Sequence, residues 1–240
     1  MLKVDLHTHT VASKHAFNTL QEMVEEAVRR GVEILGIADH GPGLADGASL
    51  DYFKVGARRL PKVLSGVRIL FGIEANILDE NGSLGINEDM QKELDFVIAS
   101  LHKPVSSNPK TNTTAIINAM KNPYVKIIGH PYIVNKDFDF DTEKIAEAAC
   151  QEDVLLEINS AYFCQNKSAE TMEIFYARVK KMAEILKAGG KKMIINSDAH
   201  HSSEIGRDEI VREKFDYLGI TENDIINYDI EAVKKYFNIV

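Results

Sequence analysis

The sequence predicts an α/β protein whose parallel strands close into a barrel, and three observations lead there. Short apolar segments alternate with amphipathic ones along the whole chain. The segments read as strands are rich in Val, Ile and Leu on both faces, as expected when helices cover the sheet on each side. Polar side chains able to bind metal recur just beyond the strand ends. Strand–helix alternation of this kind implies a parallel sheet. Seven such units in 240 residues fit a closed barrel better than an open sheet.

Each element can be read in turn. Leu2–Leu6 is the first strand. Leu20, Met23, Val24, Ala27 and Val28 recur at helical spacing, and Gly31 ends that helix. Ile34–Ala38 is the second strand, and Tyr52–Leu64 reads as a helix despite Pro61. Arg68–Ile73 and Asp95–Ser100 are the third and fourth strands. A polar loop over Ser106–Thr114 leads to a helix over Thr114–Lys121, and Val125–Gly129 is the fifth strand. A helix over Asp141–Glu152, opened by Asp139 or Asp141, precedes the sixth strand, Val154–Ile158. Ser168–Ala188 is a long helix closed by Gly189 and Gly190, and Lys192–Asn196 is the seventh strand. Helices are expected over Glu204–Tyr217 and Glu231–Tyr236.

No low-complexity segment or Ser/Gly-rich linker divides the chain, so residues 1–240 read as one domain. With 45% hydrophobic and 27% charged residues there is enough apolar material for a core. The formal net charge is −8 and no Lys/Arg block appears, which argues against a long nucleic-acid partner. An anionic substrate is still allowed, because bound metal ions reverse the local sign. Cys150 and Cys164 form no CxxC pair and read as free thiols. The N-terminus starts directly as a strand and no apolar run reaches membrane-span length, so a cytoplasmic protein without a membrane partner is expected. Oligomeric state is left open, with a homo-oligomer allowed. No GxxxxGK[ST], GxGxxG or GxSxG element is present, which leaves nucleotide cradles of those kinds and a serine nucleophile unsupported.

The informative feature is where the eight histidines fall. His7 and His9 end the first strand, and His15 follows in its loop. His40 ends the second, Glu74 the third, His102 the fourth and His130 the fifth; Asp198 and His200 follow the seventh. From His9 to His130 the successive strand-end positions are about 30 residues apart, one strand–helix unit. In a parallel barrel such positions converge on one rim, where barrel enzymes hold their active sites. Residues two apart on a strand share a face, so His7 can join His9, and Asp198 can join His200.

Nitrogen and carboxylate ligands without cysteine suit Zn²⁺, Mn²⁺ or Fe²⁺. Nine ligands with one bridging carboxylate would serve about three ions. A lone strand-end histidine, an HxH or a DxH is a weak signal; the set in register with the strands is not. His15 sits in a loop, and His201 would point away from His200 as a non-ligating side chain. Asn159, at the end of the sixth strand, reads either as a hydrogen-bond partner of a ligand or as a cap. Lys14, Lys103 and Arg207 read either as phosphate contacts or as solvated cations. Three polar loops, Gly41–Leu50, Lys103–Thr114 and Tyr162–Lys167, follow alternate strands and would set specificity. Their cations, Lys103, Lys110 and Lys167, are partly offset by Asp46, too little positive charge for a polymer track. A small substrate rather than a long polymer is therefore expected.

The ordered set Asp5-Leu6-His7-Thr8-His9, His15, Ala38-Asp39-His40, Gly72-Ile73-Glu74, Ser100-Leu101-His102, Gly129-His130-Pro131 and Ser197-Asp198-Ala199-His200 resembles the PHP (polymerase and histidinol phosphatase) family. Within it the chain is most similar to the YcdX-type stand-alone phosphatases. The resemblance implies a distorted seven-stranded (β/α)7 TIM-like barrel holding three divalent ions, zinc first, with manganese or iron as alternatives. It implies that His7, His9, Glu74 and Asp198 hold one ion, Glu74, His102 and His130 a second, and His15, His40 and His200 a third. Glu74 would bridge the first two, and Glu74, Asp198 and His200 are the ligands expected to matter most for the chemistry. A phosphate ester would then be hydrolysed by a metal-bridged hydroxide. Two other readings stay open: an amidohydrolase-type enzyme cleaving a C–N or C–O bond, and a non-catalytic metal-binding protein. The amidohydrolase pattern uses a bridging carbamylated lysine after the fourth strand, where this chain has His102.

Overall fold

A computed structural model describes residues 2–45 and 47–239. Asp46, invoked above for loop charge, lies outside the described residues. The strands form two groups. The first comprises β1 (Val4–Asp5), β2 (Ile34–Ile37), the short β3 (Val63–Leu64) and β4 (Val67–Phe71), in the order β1-β2-β4-β3. The second runs in sequence order from β5 (Ile73–Asn76) through β6 (Val97–Ser100), β7 (Val125–Ile128) and β8 (Leu155–Asn159) to β9 (Ile194–Asn196). All pairings are parallel except the β3–β4 hairpin. β4 and β5 are one strand interrupted at Gly72, where a Cβ would meet the Phe96 ring at 2.6 Å. Two single-pair bridges link the groups, His40 with Glu74 and Thr8 with Ala199. Among the described residues the ladders do not run unbroken around a closed ring.

Side-chain alternation places the core. Val4, Ile34, Leu70, Ile98, Ile127, Leu155 and Ile194, one from each parallel strand position, meet in a single inner cluster with Ile226, Val233 and Phe237. Their neighbours Leu35, Ile69, Val97, Ile128, Leu156 and Ile195 face the opposite way and pack under the helices.

The helices are α1 (Leu20–Arg30), α2 (Leu50–Arg59), α3 (Glu88–Glu93), α4 (Pro109–Met120), α5 (Thr142–Ala149), α6 (Ser160–Phe163), α7 (Ala169–Ala188), α8 (Glu209–Arg212), α9 (Phe215–Leu218) and α10 (Ile230–Tyr236). Local chemistry sets their ends. Thr19 and Glu22 form a reciprocal capping box on α1, and Gly31 closes it in the left-handed conformation at φ 71°. Asp141 caps α5 and Ser168 caps α7.

Three helix expectations are corrected. The helix expected over Tyr52–Leu64 runs over Leu50–Arg59 and ends before Pro61, because the residue before a proline is pushed out of the helical region. Val63–Leu64 is instead the hairpin strand. The stretch expected to be a loop up to Thr114 is helical from Pro109, with Asn108 as cap and proline in the first turn. The single helix expected over Glu204–Tyr217 is a 3-10 turn at Ser202–Glu204 followed by α8 and α9. Cys150 and Cys164 are free thiols, as read. Among the described residues no helix is long and apolar enough to cross a membrane.

Candidate metal centre

The backbone brings all nine sequence-read positions to one end of the strands. Glu74, on β5, is 1% exposed and lies at the centre. Its Oε1 is 3.1 Å from His102 Nε2, 3.3 Å from His130 Nε2 and 3.4 Å from His7 Nε2. Its Oε2 is 2.6 Å from His40 Nδ1 and 3.8 Å from His9 Nε2. Asp198 Oδ1 is 3.0 Å from His9 Nε2 and 3.5 Å from His7 Nε2. His200 stacks on His9 at 4.3 Å between ring centroids, and His15 stacks on His200 at 4.5 Å and on His40 at 5.0 Å. His15 thus joins the cluster from its loop. His201 is exposed and caps the Ser202–Glu204 turn, away from the cluster, as its sequence position suggested.

The surrounding groups fix which ring nitrogens face inward. His7 Nδ1 is 2.7 Å from Glu157 Oε1, and His200 Nδ1 is 2.9 Å from the Asp198 carbonyl; both partners can only accept, so both Nδ1 atoms carry the proton. The Ser13 hydroxyl donates to Asp39 at 2.6 Å and therefore accepts from His9 Nδ1 at 3.2 Å. In each of these three rings Nε2 is turned into the cluster, where it offers its lone pair to a proton or a metal ion. The Nε2 atoms of His7, His9 and His200, His40 Nδ1, Glu74 Oε2 and Asp198 Oδ1 are buried without a hydrogen bond of acceptable geometry. Lone pairs facing carboxylate oxygens repel unless a proton or a cation lies between them. This donor set, all imidazole and carboxylate, fits divalent ions.

Electrostatics point the same way. Burial opposes ionisation of Glu74, yet His102, His7 and His40 hold its carboxyl well below the usual range. Burial likewise opposes the Asp198 carboxylate, and His7 and His9 hold it low. Burial disfavours a charged His7 ring, but Glu157, Asp198 and Glu74 raise it well above its ordinary value. His9, chiefly through burial, is lowered to about 4. Buried carboxylates set among these rings draw positive charge, as protons or metal ions, into the cluster.

Ligand atoms group slightly differently from the reading by resemblance. Sets that converge closely enough to share an ion are His7, His9 and Asp198; His40, Glu74 and His102; and His9, His40 and His200. His40 faces Glu74 as well as His200. Two of the candidate ligands adopt left-handed backbone, His130 at φ 36° and Asp198 at φ 54°. Such strain in residues other than glycine concentrates at functional sites.

Sequence reading missed Glu157. Its buried carboxylate accepts from His7, from the His130 backbone N–H at 3.1 Å, from Asn196 Nδ2 at 2.9 Å and from Asn159 Nδ2 at 3.2 Å. An acid inside the apolar run Leu155–Ile158, sharing a face with Asn159, was the available signal. Asn159 does both things read for it: it donates to Asp198 Oδ2 at 3.0 Å and caps α6. Tyr162 was also missed; its ring lies 5.3 Å from that of His130. Lys103 is exposed one residue after His102, Arg207 is half-buried, and Lys14 donates to the Ala45 carbonyl at 3.1 Å.

The chain is similar to known proteins along most of its length. The family model described as PHP domain matches residues 5–197. A probable phosphatase of Thermoanaerobacter sp. (strain X514) is 40% identical over 238 residues, covering 98% of this chain and 94% of its own. A probable phosphatase of Clostridium acetobutylicum is 36% identical over 236 residues, covering 97% and 93%. Among solved structures, the histidinol phosphate phosphatase of Lactococcus lactis, complexed with zinc, L-histidinol and phosphate, superposes with a TM-score of 0.56 at 18% identity over 91% of this chain and 94% of that one. A chain of archaeal ribonuclease P with mature tRNA superposes at 0.60 and 13% identity, covering 98% and 90%. These two likenesses concern the fold alone. The match along residues 5–197 and the close relatives together place the chain: it belongs to the PHP domain family.

Proposed function

We propose that this chain is a metal-dependent phosphatase that hydrolyses a small phosphate ester at a three-ion site. The observation that carries the reading is the inward-turned lone pairs of His7, His9 and His200 against buried carboxylate oxygens. His7, His9, His15, His40, Glu74, His102, His130, Asp198 and His200 would hold the ions, and Glu74, whose two oxygens face different histidines, would serve more than one of them. Bound divalent ions would lower the pKa of water enough to supply hydroxide near neutral pH and would neutralise charge on the phosphoryl group. Zinc is the first candidate, and manganese or iron suits the same donors.

This chain's own residues do the rest. Glu157 holds the His7 ring and, through the His130 N–H, the turn after β7. Asp39 and Ser13 hold His9, and the His40 N–H donates to Ser13 Oγ at 3.1 Å. Asn159 aims Asp198. Residues fixed in this way need little rearrangement as charge develops on phosphorus. The strand positions are read as a distorted seven-stranded (β/α)7 barrel. The Thr8–Ala199 bridge and the inner cluster fed by every parallel strand support closure. A small substrate follows from the charge of −8, which offers no track for a long polyanion. Turnover of phosphate monoesters, phosphate diesters and amide or lactone substrates by metal-loaded protein tests the reading, and exclusive turnover of the last group would replace it by the amidohydrolase reading.

A further inference from the structure

We infer that the Tyr162 hydroxyl donates a hydrogen bond to an oxygen of the bound phosphate ester; the inference rests on the phosphatase reading above. The candidate ligands present acceptors to the interior of the site: carboxylate oxygens and the imidazole lone pairs of His7, His9 and His200. A phosphate group presents acceptors too, so oxygens not held by metal need a donor. Tyr162 supplies one, because a phenol stays protonated at neutral pH.

Its position is built. Asn159, which also donates to Asp198, caps the short helix carrying Tyr162 by accepting from the Ala161 N–H at 3.0 Å. The next residue, Phe163, is buried edge-on against Phe175 at 5.0 Å. The Tyr162 ring lies 5.3 Å from His130, and the Lys167 ammonium sits 5.8 Å from the ring centroid while reaching the Val134 carbonyl. The half-buried phenol is thus held beside His130, a candidate ligand. Its hydroxyl makes no hydrogen bond to any described residue.

The test compares wild type with Tyr162→Phe, which keeps the ring and removes only the donor, both loaded with zinc. Calorimetric titration with inorganic phosphate should show affinity weakened about tenfold, the lower end for a hydrogen bond to a charged group. The kcat/KM for 4-nitrophenyl phosphate should fall at least as far, with metal content and Tm unchanged. A phosphate Kd and kcat/KM within about twofold of wild type would overturn the inference, as would loss of metal in parallel with activity, which marks a structural role. Failure of the metal-loaded wild type to bind phosphate would overturn it as well. If wild type binds phosphate but turns over no ester, the phosphatase reading fails while the phosphate titration still decides Tyr162.

Discussion

At the scale of single residues, the centre depends on carboxylates placed where several imidazoles converge. Glu74 reaches five histidines through two oxygens, so Glu74→Gln removes charge from more than one ion position at once. Activity should fall at least about a hundredfold while the protein stays folded, and near-normal kinetics in the folded variant would remove Glu74 from the site. Glu157 acts one layer out, where it fixes the His7 tautomer. Glu157→Gln puts an amide donor against one of the four donors that Glu157 accepts. Metal affinity should drop about 10- to 100-fold, measured by competition with a chromophoric chelator; an unchanged affinity would show that His7 orients itself. The candidate ligands were legible in the sequence because, His15 in its loop apart, they fall at strand ends, and from His9 to His130 about one strand–helix unit separates each strand-end position from the next. Glu157 was not, because a single acid in an apolar strand has many uses, and its four donors come from positions far apart in sequence.

At the scale of elements, legibility followed the strength of local signals. α1 was read to the residue from its apolar spacing and terminal glycine, and the capping box of Thr19 and Glu22 fixes its start. α2 was misread at its end because the apolar spacing continues through Pro61 into a two-residue strand. The broken stretch after Glu204 was misread because α8 and α9 take their places from packing rather than from intrinsic preference. Strand contacts impose demands that no periodicity shows. At Gly36 on β2 a Cβ would lie 2.7 Å from both Leu6 Cα and the Leu6 carbonyl oxygen, and Thr8 Oγ1 donates to the Gly36 carbonyl at 2.8 Å. Leu6 immediately precedes His7, so moving it disturbs the first ligand pair. Gly36→Ala should destabilise the fold by about 2–3 kcal/mol in urea unfolding, the upper part of the overpacking range, because the clash is with backbone. A change below about 0.5 kcal/mol would mean that β1 and β2 can separate without loss.

At the scale of the whole molecule, a parallel α/β scaffold gathers side chains spread from residue 7 to residue 200 at one end of its strands. The inner apolar cluster fills the space between strands, and α10 contributes Val233 to it. The fold class was legible because seven apolar runs alternate with helical ones. Ladder continuity was not, because it depends on local geometry at Gly72 and at the Thr8–Ala199 contact rather than on apolar pattern. Gathering this many imidazole lone pairs and carboxylates is tolerable only with protons or cations among them, and on the metal reading metal and activity should rise and fall together. The direct test is elemental analysis of purified protein supplied with zinc or manganese, paired with phosphate-ester turnover before and after exhaustive chelation. The account predicts about three ions per chain, turnover that disappears as they are removed and returns when they are restored. Protein carrying about three ions that turns over no phosphate ester, or turnover that persists after the ions are gone, would contradict it.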